Sequence, residues 1–296
     1  MSDPILSLVI PSPRGGRALV DTIAAFARED AELEIIVVES ARDGSRELVQ
    51  ARFPGVTVLH FDQPRTLPEL RAAGLLAARG AIVALTSDAC TPAPGWAAAV
   101  RRAHRQPAAA IGGAVENGST TRLVDWAVFF CEYGRYMLPL AAAQTSDLPG
   151  QNVSYKREAL TAIRELLLTG VWEPFWHWEL AARGAELRRD PSFLVVLRRH
   201  DTVSSFVRER FHYARSFAGQ RLRGARWLRR AAYASGAVLL PPVLLARMGA
   251  QLLPKRRALG RLACSVPYLV LFTCAWAAGE CVGYVAGAGT SAARVE

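Results

Sequence analysis

The chain has 296 residues, of which 51% are hydrophobic and 21% charged, and its formal net charge at pH 7 is +10. This length fits one ordinary domain plus additional segments. Residues 231–246 carry no charge, and Glu280 is the only charged residue between positions 264 and 293. Stretches this apolar exclude a fully soluble protein. Five scattered cysteines without a CxxC pair argue against a disulfide framework or a zinc site.

Predicted strands and helices alternate along the first ninety residues. Short apolar strands are predicted at residues 6–11, 34–39, 56–61 and 81–86. The spacing of apolar residues predicts helices at residues 18–28 and 67–79. This order is typical of a layered α/β domain with a parallel sheet. Because ligands bind beyond the carboxyl ends of parallel strands, we expect a site in the loops at residues 11–14, 39–45 and 87–90.

The next hundred residues contain further elements in a less regular order. A helix is predicted at residues 95–104, a strand at 109–115, and either a helix or an extended segment at 122–136. Pro149-Gly150 predicts a turn that leads into a short strand. The remaining predictions are a helix at residues 157–168, an aromatic-rich segment at 172–183 and a strand at 193–197.

A basic amphipathic helix is predicted from residue 203 onward. Its apolar face is formed by Val207, Phe211, Ala214, Ala218 and Leu222, and most arginines of the segment lie off that face. A helix of this kind ahead of an apolar block is typical of the lipid headgroup layer. An ordinary helix that packs against the domain is the alternative.

Two apolar blocks follow this helix. Residues 231–248 are barely long enough to span a bilayer and contain Pro241-Pro242, which we expect to break a helix. Residues 266–288 are long enough to span. Because basic residues flank the first block on both sides, we predict a re-entrant or interfacial helical pair there, followed by one span. A two-span hairpin is the competing topology.

The basic residues are concentrated beside these apolar blocks. The residues before the first block are Arg221, Arg223, Arg226, Arg229 and Arg230, and those before the second are Lys255, Arg256, Arg257 and Arg261. This placement favours an anionic membrane surface as the partner. No nucleic-acid-binding motif accompanies the charge, so we expect no nucleic acid partner.

Four segments resemble, in order and spacing, family 2 glycosyltransferases with the GT-A fold. They read LSLVIPSPRGG, EIIVVESARDGSREL, RAAGLLAARG and AIVALTSDACTPAPGW, and the resemblance extends over about residues 5–200. LVDWAVFFCEYGRYM and WEPFWHWEL are similar to segments of a membrane-attached bacterial branch. The resemblance implies an α/β, Rossmann-like GT-A domain over residues 1–202. The residue patterns described above add an amphipathic helix over 203–230 and C-terminal membrane helices within 231–296.

The family resemblance also implies which residues bind the nucleotide of a nucleotide-diphosphate sugar. Glu39 ends the second strand, where the family accepts hydrogen bonds from the base, and Asp43 is a second candidate nearby. Arg71 matches the arginine that faces the diphosphate. Pro11 ends the first strand, and Asp88 follows the fourth.

The metal motif departs from the family pattern. Family members usually place two carboxylates, or a Glu-Asp-His triplet, after the fourth strand, whereas this chain has Ser87-Asp88-Ala89. The resemblance implies Mg²⁺ or Mn²⁺ bound by Asp88 and the diphosphate, with His177 and His200 as further candidate ligands. Weak or absent metal binding is the alternative.

An inverting transfer to a hydroxyl needs a carboxylate base, which we predict to be Glu173. Pro174 would place Glu173 near a helix start, and His177, four residues further along, would share its face as an orienting partner or metal ligand. Glu179 is the alternative base, and packing in the core is the alternative role of His177. Asn152 and Tyr155 are predicted on the acceptor side, with strand packing as their alternative.

The leading functional hypothesis is a glycosyltransferase that transfers a sugar from a nucleotide-diphosphate sugar to a lipid-linked or polyprenyl acceptor. The basic, apolar C-terminal region and the absence of a recognisable signal peptide predict a bacterial inner membrane enzyme with its catalytic domain on the cytoplasmic face. Such enzymes build cell envelope polysaccharides or glycolipids. The alternative is a catalytically degenerate membrane subunit that binds a nucleotide sugar or a partner.

Overall fold

The computed structural model describes residues 6–13, 15–40 and 43–295, which form two compact units. The first unit comprises residues up to 116 together with 136–198, and the second comprises 117–135 together with residues from 199 onward. The segment 117–135 therefore interrupts the domain expected over residues 1–202. It belongs with the C-terminal helices because its helix packs against the longest of them.

The strands and helices occur in the following order along the chain. The strands are β1 (Leu6–Ser12), β2 (Glu34–Glu39), β3 (Thr57–His60), β4 (Ile82–Leu85), β5 (Cys90–Pro92), β6 (Ala110–Asn117), β7 (Ala143–Gln144), β8 (Val153–Lys156) and β9 (Leu187–Leu197). The helices are α1 (Arg17–Ala27), α2 (Ser45–Arg52), α3 (Leu67–Ala77), α4 (Trp96–Ala103), α5 (Leu123–Glu132), α6 (Arg157–Ala162), α7 (Arg164–Leu167), α8 (Glu173–Ala182), α9 (Val203–Arg221), α10 (Trp227–Gly236), α11 (Leu240–Leu252) and α12 (Leu259–Ala286).

The first unit is built on a mixed sheet to which the described residues contribute nine strands. Their order is β3-β2-β1-β4-β8-β6-β9-β5, and β7 pairs with β9 outside this path. Strands β1 to β4 are parallel, whereas β8 runs antiparallel to β4 and to β6. All seven residues of β1 are buried, as expected for a central parallel strand with helices on both faces. The predicted alternation of strands and helices is confirmed over this region.

Helix α3 lies close against the centre of this sheet. It begins with a capping box in which Thr66 and Glu69 satisfy each other's backbone N–H groups. Its only glycine, Gly74, allows the close approach, because a Cβ atom there would lie 2.3 Å from Val9 Cγ1 and 2.8 Å from Val38 Cγ2. This packing fixes the position of Arg71, one turn earlier on the same helix.

The second unit consists of helices. Helix α10 continues through one 3₁₀ turn, Ala237–Leu239, into α11, and Pro241 and Pro242 stand in the first turn of α11. Proline is tolerated there because the first turn of a helix does not use those N–H groups. The predicted break is therefore limited to that one turn. Two helical segments, Trp227–Lys255 and Leu259–Ala286, are long and apolar enough to cross a membrane, by length and composition alone.

Three predicted elements have different boundaries in the structure. The helix predicted at residues 157–168 divides at Ile163 into α6 and α7, and the strand predicted from residue 193 already begins at Leu187. The amphipathic helix expected over residues 203–230 ends at Arg221, and Gly224, with a φ of +75°, lies in the turn before α10. The segment 122–136, for which two conformations were open, contains α5.

Candidate functional site

The carboxyl ends of β1, β2 and β4 meet at one edge of the sheet. Because β1 lies between the other two strands and is parallel to both, Ser12, Glu39 and the segment after Leu85 come to this edge together. Pro11 is buried in β1 opposite Val38. We call this the donor edge, since it contains most of the predicted nucleotide-binding residues.

Glu39 is completely buried at the donor edge, and two side chains orient its carboxylate. Ser45 Oγ donates a hydrogen bond to Oε2 at 3.3 Å, and His60 Nδ1 lies 3.0 Å from Oε1. A buried carboxylate requires such partners, because an unpaired charge in the interior is strongly unfavourable. Sequence reasoning missed His60, although Glu39 and His60 are register partners of the parallel pair β2–β3.

Asp43 lies between the loop after β2 and the start of α2. Hydrogen bonds from Ser45 hold the pKa of Asp43 below its usual range, so this carboxylate is ionised at neutral pH. Gly15, with a φ of +67°, comes so close that a Cβ atom there would lie 2.3 Å from Ser45 Oγ. The loops after β1 and β2 therefore touch.

A cavity of about 480 Å³ opens beside these two loops. The first turns of α1 and α2 line it, and Gly16, Asp43 and Ser45 belong to its wall. Its volume lies in the range of small-molecule sites in proteins. The cavity is thus adjacent to Ser45, one of the two side chains that orient Glu39.

Asp88 follows β4 at the same edge. Ser12 Oγ donates a hydrogen bond to Asp88 Oδ2 at 2.6 Å, and Thr22 Oγ1 donates one to the backbone carbonyl of Asp88 at 2.9 Å. Ser12 was not among the predicted residues, although its position at the end of β1 places it beside the loop after β4. These two hydroxyls fix both the side chain and the backbone of Asp88.

The described residues contain no group of three His, Cys, Asp or Glu side chains arranged to hold a metal ion. Asp88 therefore supplies one carboxylate, and the structure does not join His177 to it. His200 belongs to the second unit, where its Nδ1 lies 3.1 Å from Asp125 Oδ2. Since Mg²⁺ is commonly bound through one or two carboxylates plus substrate phosphates, Asp88 fits an ion that is carried mainly by a diphosphate.

A second group of predicted residues lies together in the interior. We call it the Arg71 cluster, and it comprises Arg71, Tyr155, Glu173 and His177. Arg71 on α3 donates a hydrogen bond to Glu173, and both side chains are only about 6% exposed. Glu173 is the first residue of α8, and Pro174 stands in its first turn, as the sequence predicted. The two side chains form a buried ion pair.

Tyr155 and His177 are the other two residues of the Arg71 cluster. The Tyr155 hydroxyl lies 2.8 Å from His177 Nε2, and both side chains are fully buried. Burial lowers the pKa of His177 to about 4 and raises that of Tyr155, so both are neutral at pH 7. A neutral imidazole accepts at one ring nitrogen, which allows the tyrosine hydroxyl to donate to Nε2.

The side chain of Asn152 is buried and bound within the sheet. Its Nδ2 group donates to the carbonyl oxygens of Ala114 and Phe193, and its Oδ1 accepts a hydrogen bond from Trp96 Nε1 at 3.0 Å. In this structure Asn152 fastens β6, β9 and α4 together, which corresponds to the packing role left open above. Glu179, the alternative base, is half-buried, with 40% of its side chain exposed, and it pairs with Arg183.

Comparisons with solved structures give the same fold. The mannosyltransferase PcManGT from Pyrobaculum calidifontis, in complex with GDP-Man and Mn²⁺, is 18% identical with a TM-score of 0.59, covering 94% of this chain and 87% of that chain. GalNAc-T7, crystallised with UDP, GalNAc and Mn²⁺, is 15% identical with a TM-score of 0.51, covering 66% of this chain and 43% of that chain. No protein with a curated description matches in sequence.

The family comparison agrees with the motifs at the donor edge. The model of the family described as "Glycosyl transferase family 2" matches residues 7–164, more than half of the chain. This range includes β1 to β4, the donor edge and Arg71. The mixed sheet is the GT-A-like glycosyltransferase domain that the resemblance implied. The chain therefore belongs to glycosyl transferase family 2.

Proposed function

We propose that this glycosyltransferase moves a sugar from a nucleoside diphosphate sugar to a lipid-linked or polyprenyl acceptor, with inversion at the anomeric carbon. The observation that carries the proposal is the buried contact between Arg71 and Glu173. It brings a cation suited to a diphosphate next to a carboxylate suited to deprotonate an acceptor. We further propose that the enzyme works on the cytoplasmic face of a bacterial inner membrane.

The donor edge would bind the nucleotide. Glu39 accepts hydrogen bonds from the base, and Ser45 and His60 keep its carboxylate oriented for this. The adjacent cavity offers about 480 Å³ for part of the nucleotide. The two structures of similar fold hold GDP-Man and UDP, respectively, which supports a nucleoside diphosphate as the leaving group.

A divalent ion, Mg²⁺ or Mn²⁺, fits the proposal as a companion of the diphosphate. When bound, it would neutralise charge on the two phosphates. Asp88, held by Ser12, is the protein carboxylate available for it at the donor edge. The Mn²⁺ in both structures of similar fold supports a divalent ion, and we propose Asp88 rather than His177 or His200 as its protein ligand.

Glu173 would act as the base. Its carboxylate takes the proton of the acceptor hydroxyl while the hydroxyl oxygen attacks the anomeric carbon and the nucleoside diphosphate leaves with the bonding electrons. The hydrogen bond between Tyr155 and His177 holds α8, which carries Glu173, against β8. Both side chains are neutral, so neither competes with Glu173 for the proton of the acceptor hydroxyl.

The decisive experiment is release of nucleoside diphosphate from GDP-, UDP- and dTDP-sugars by the full chain in native lipids, with Mn²⁺ or Mg²⁺. Glu173→Gln should lower kcat by about 10²–10⁴-fold. Glu179→Gln is the matched control, because Glu179 lies on the same helix but pairs with Arg183 and has 40% of its side chain exposed, against 6% for Glu173. It should retain wild-type turnover.

Two other results would change the proposal. Full turnover by Glu173→Gln would exclude the base role and indicate a polyprenyl phosphate acceptor, whose own oxygen is already ionised near neutral pH. No release of nucleoside diphosphate with any donor would favour the alternative of a degenerate subunit that binds nucleotide sugar without turnover.

A further inference from the structure

The second unit carries most of the exposed large apolar side chains of the described residues. Eleven of fourteen lie between positions 227 and 286, and Trp227, Val238, Leu239 and Val285 are each at least 65% exposed. A concentration of exposed apolar side chains in one part of a protein is typical of a site of interaction. These apolar side chains of the second unit therefore require a partner that covers them.

Helix α12 packs along α9 for more than half of its length, and the two helices run parallel. Phe206 stacks edge-on against Phe272 with ring centroids 4.5 Å apart, near the start of the contact. Gly279 and Gly283 further along meet the backbone carbonyls of Phe211 and Arg215 so closely that a Cβ atom would lie 2.3 and 2.5 Å from them. Small residues permit this approach of two backbones.

Helix α9 is too polar to lie in hydrocarbon. Glu209 on α9 is held in a partly buried network by Arg199, which also pairs with Glu132 and Asp201. Arg210 of the same helix pairs with Glu132. Charged groups inside a bilayer are costly, so α9 lies outside the hydrocarbon layer. The part of α12 beside it, residues 272–286, therefore cannot be surrounded by lipid.

The remainder of α12 is too short to cross a membrane alone. Residues 259–271 extend about 20 Å at the helical rise of 1.5 Å per residue, whereas the hydrocarbon core is about 30 Å thick. The one acidic residue of α12, Glu280, is buried and accepts hydrogen bonds from Trp276 Nε1 and the Tyr284 hydroxyl. It is satisfied inside the unit.

Arginine side chains bind the carboxyl end of α12. Arg230 donates to the carbonyl oxygens of Tyr284 and Val285, at 2.7 and 3.1 Å, and Arg215 donates to that of Gly287 at 3.2 Å. Cations at this position also complement the helix dipole. The first turn of α10, which carries Arg230, thus lies beside the end of α12.

The opposite end of α12 is basic as well. Arg256, Arg257 and Arg261 are exposed around its beginning. Because the start of α10 meets the end of α12, the segments Trp227–Lys255 and Leu259–Ala286 form an antiparallel hairpin with basic residues at both ends. A membrane-spanning hairpin would place one of these basic ends on the far side, against the positive-inside bias.

We infer that α10, α11 and α12 lie in the plane of the membrane and insert their exposed apolar faces into a single leaflet of anionic lipid. The basic residues at both ends of the hairpin then contact headgroups on the same side. The inference rests on the membrane association proposed above and replaces the span predicted at residues 266–288. Helix α9, on the other side of α12, stays outside the hydrocarbon.

The test measures from which side of the membrane single introduced cysteines can be labelled. The full chain is expressed without its native cysteines, and this background is first shown to retain turnover. Arg223→Cys, Arg257→Cys and Thr290→Cys report on both ends of the hairpin and on the C-terminus, and Ser192→Cys on the first unit marks the catalytic side. All four residues are exposed. A membrane-impermeant maleimide is applied to right-side-out and to inverted membrane vesicles.

In-plane insertion predicts that all four cysteines react from the same side and are protected from the other. Reaction of Arg257→Cys only from the side opposite to Ser192→Cys would establish a spanning hairpin and overturn the inference. Reaction of Thr290→Cys alone from the opposite side would establish the single span at residues 266–288. Recovery of the chain in the soluble fraction, as a dimer, would instead refute membrane association itself and assign the apolar face to a second copy.

Discussion

Single side chains orient Glu39 at the donor edge, and His60 is the one that the motifs did not reveal. Its Nδ1 group is 3.0 Å from Glu39, while Nε2 faces the exposed Asp62 at 3.5 Å. The pairing follows from the register of β2 and β3, which adjacent apolar strands do not reveal until their alignment is known. The position of Glu39 at the end of β2 was predictable, because a strand-end carboxylate belongs to the motif, and its contact with a nucleotide stays a prediction.

Replacing His60 should weaken donor binding with little change in the chemical step. His60→Ala leaves Glu39 with fewer partners, so we expect KM for the donor to rise about tenfold, equivalent to about 1–2 kcal/mol, with kcat nearly unchanged. His60→Gln, which keeps an amide donor, should recover part of the loss. Asp62→Asn is the control and should behave as wild type. An equal fall of kcat in His60→Ala would contradict a positioning role.

Removing only one member of the Arg71–Glu173 pair should lower the free energy of unfolding strongly. Arg71→Met leaves a buried carboxylate without its guanidinium, so we expect the free energy of unfolding to fall by about 3–5 kcal/mol. The double variant Arg71→Met/Glu173→Gln should lose less, since it removes both charges. Urea denaturation of the detergent-solubilised chain measures both values. Equal losses in the single and double variants would mean that the charges are not coupled.

His177 should make the fold less stable in acid. The unfolded imidazole takes up a proton near pH 6.5, whereas burial lowers the pKa of His177 in the folded chain to about 4. Protons therefore favour the unfolded chain as pH falls through this window, by about 3 kcal/mol at pH 4. His177→Gln keeps an acceptor for Tyr155 but cannot titrate. The difference in unfolding free energy between wild type and variant should therefore shrink between pH 7 and pH 4.

Element boundaries were predictable where apolar periodicity and turn residues agree. The strand at residues 34–39 has the predicted limits, because an apolar β-branched run is bounded by charged residues. The end of α9 was missed because its apolar face continues into Leu222, while the turn depends on Gly224. The pairing of α5 with α12 was not predictable, because residues as far apart in sequence as Ala127 and Phe272 leave no local pattern.

Close packing of α9 on α12 predicts a contrast between two glycines of the same helix. Gly279→Ala places a methyl group 2.3 Å from the Phe211 carbonyl and should lower the melting temperature by several degrees. Gly260→Ala meets no atom within 4 Å and should be neutral or slightly stabilising, because alanine favours helix. Thermal unfolding followed by circular dichroism distinguishes them. Similar melting temperatures for both variants would argue against backbone contact between the helices.

For the molecule as a whole, we expect binding to anionic lipid to depend more on the position of the positive charge than on the net charge. Arg223→Gln/Arg226→Gln/Arg229→Gln removes three exposed charges beside α10 and should lower binding to vesicles with anionic lipid at least tenfold, at about 1 kcal/mol for each arginine near the surface. The control variant Arg28→Gln/Arg105→Gln/Arg164→Gln lowers the net charge by the same amount, but at residues of the first unit. Vesicle flotation at 0.1 M salt should show little loss for this control. Equal losses would indicate a non-specific charge effect.

The interruption of the first unit by residues 117–135 affects how its catalytic part can be produced alone. A chain truncated after residue 202 would retain α5 but lose α12, with which Ala127 and Val128 share an apolar cluster around Phe272. The exposed face of α5 would then favour aggregation. A soluble catalytic fragment is better sought by joining residue 116 to residue 136 through a short flexible linker and ending the chain near residue 198.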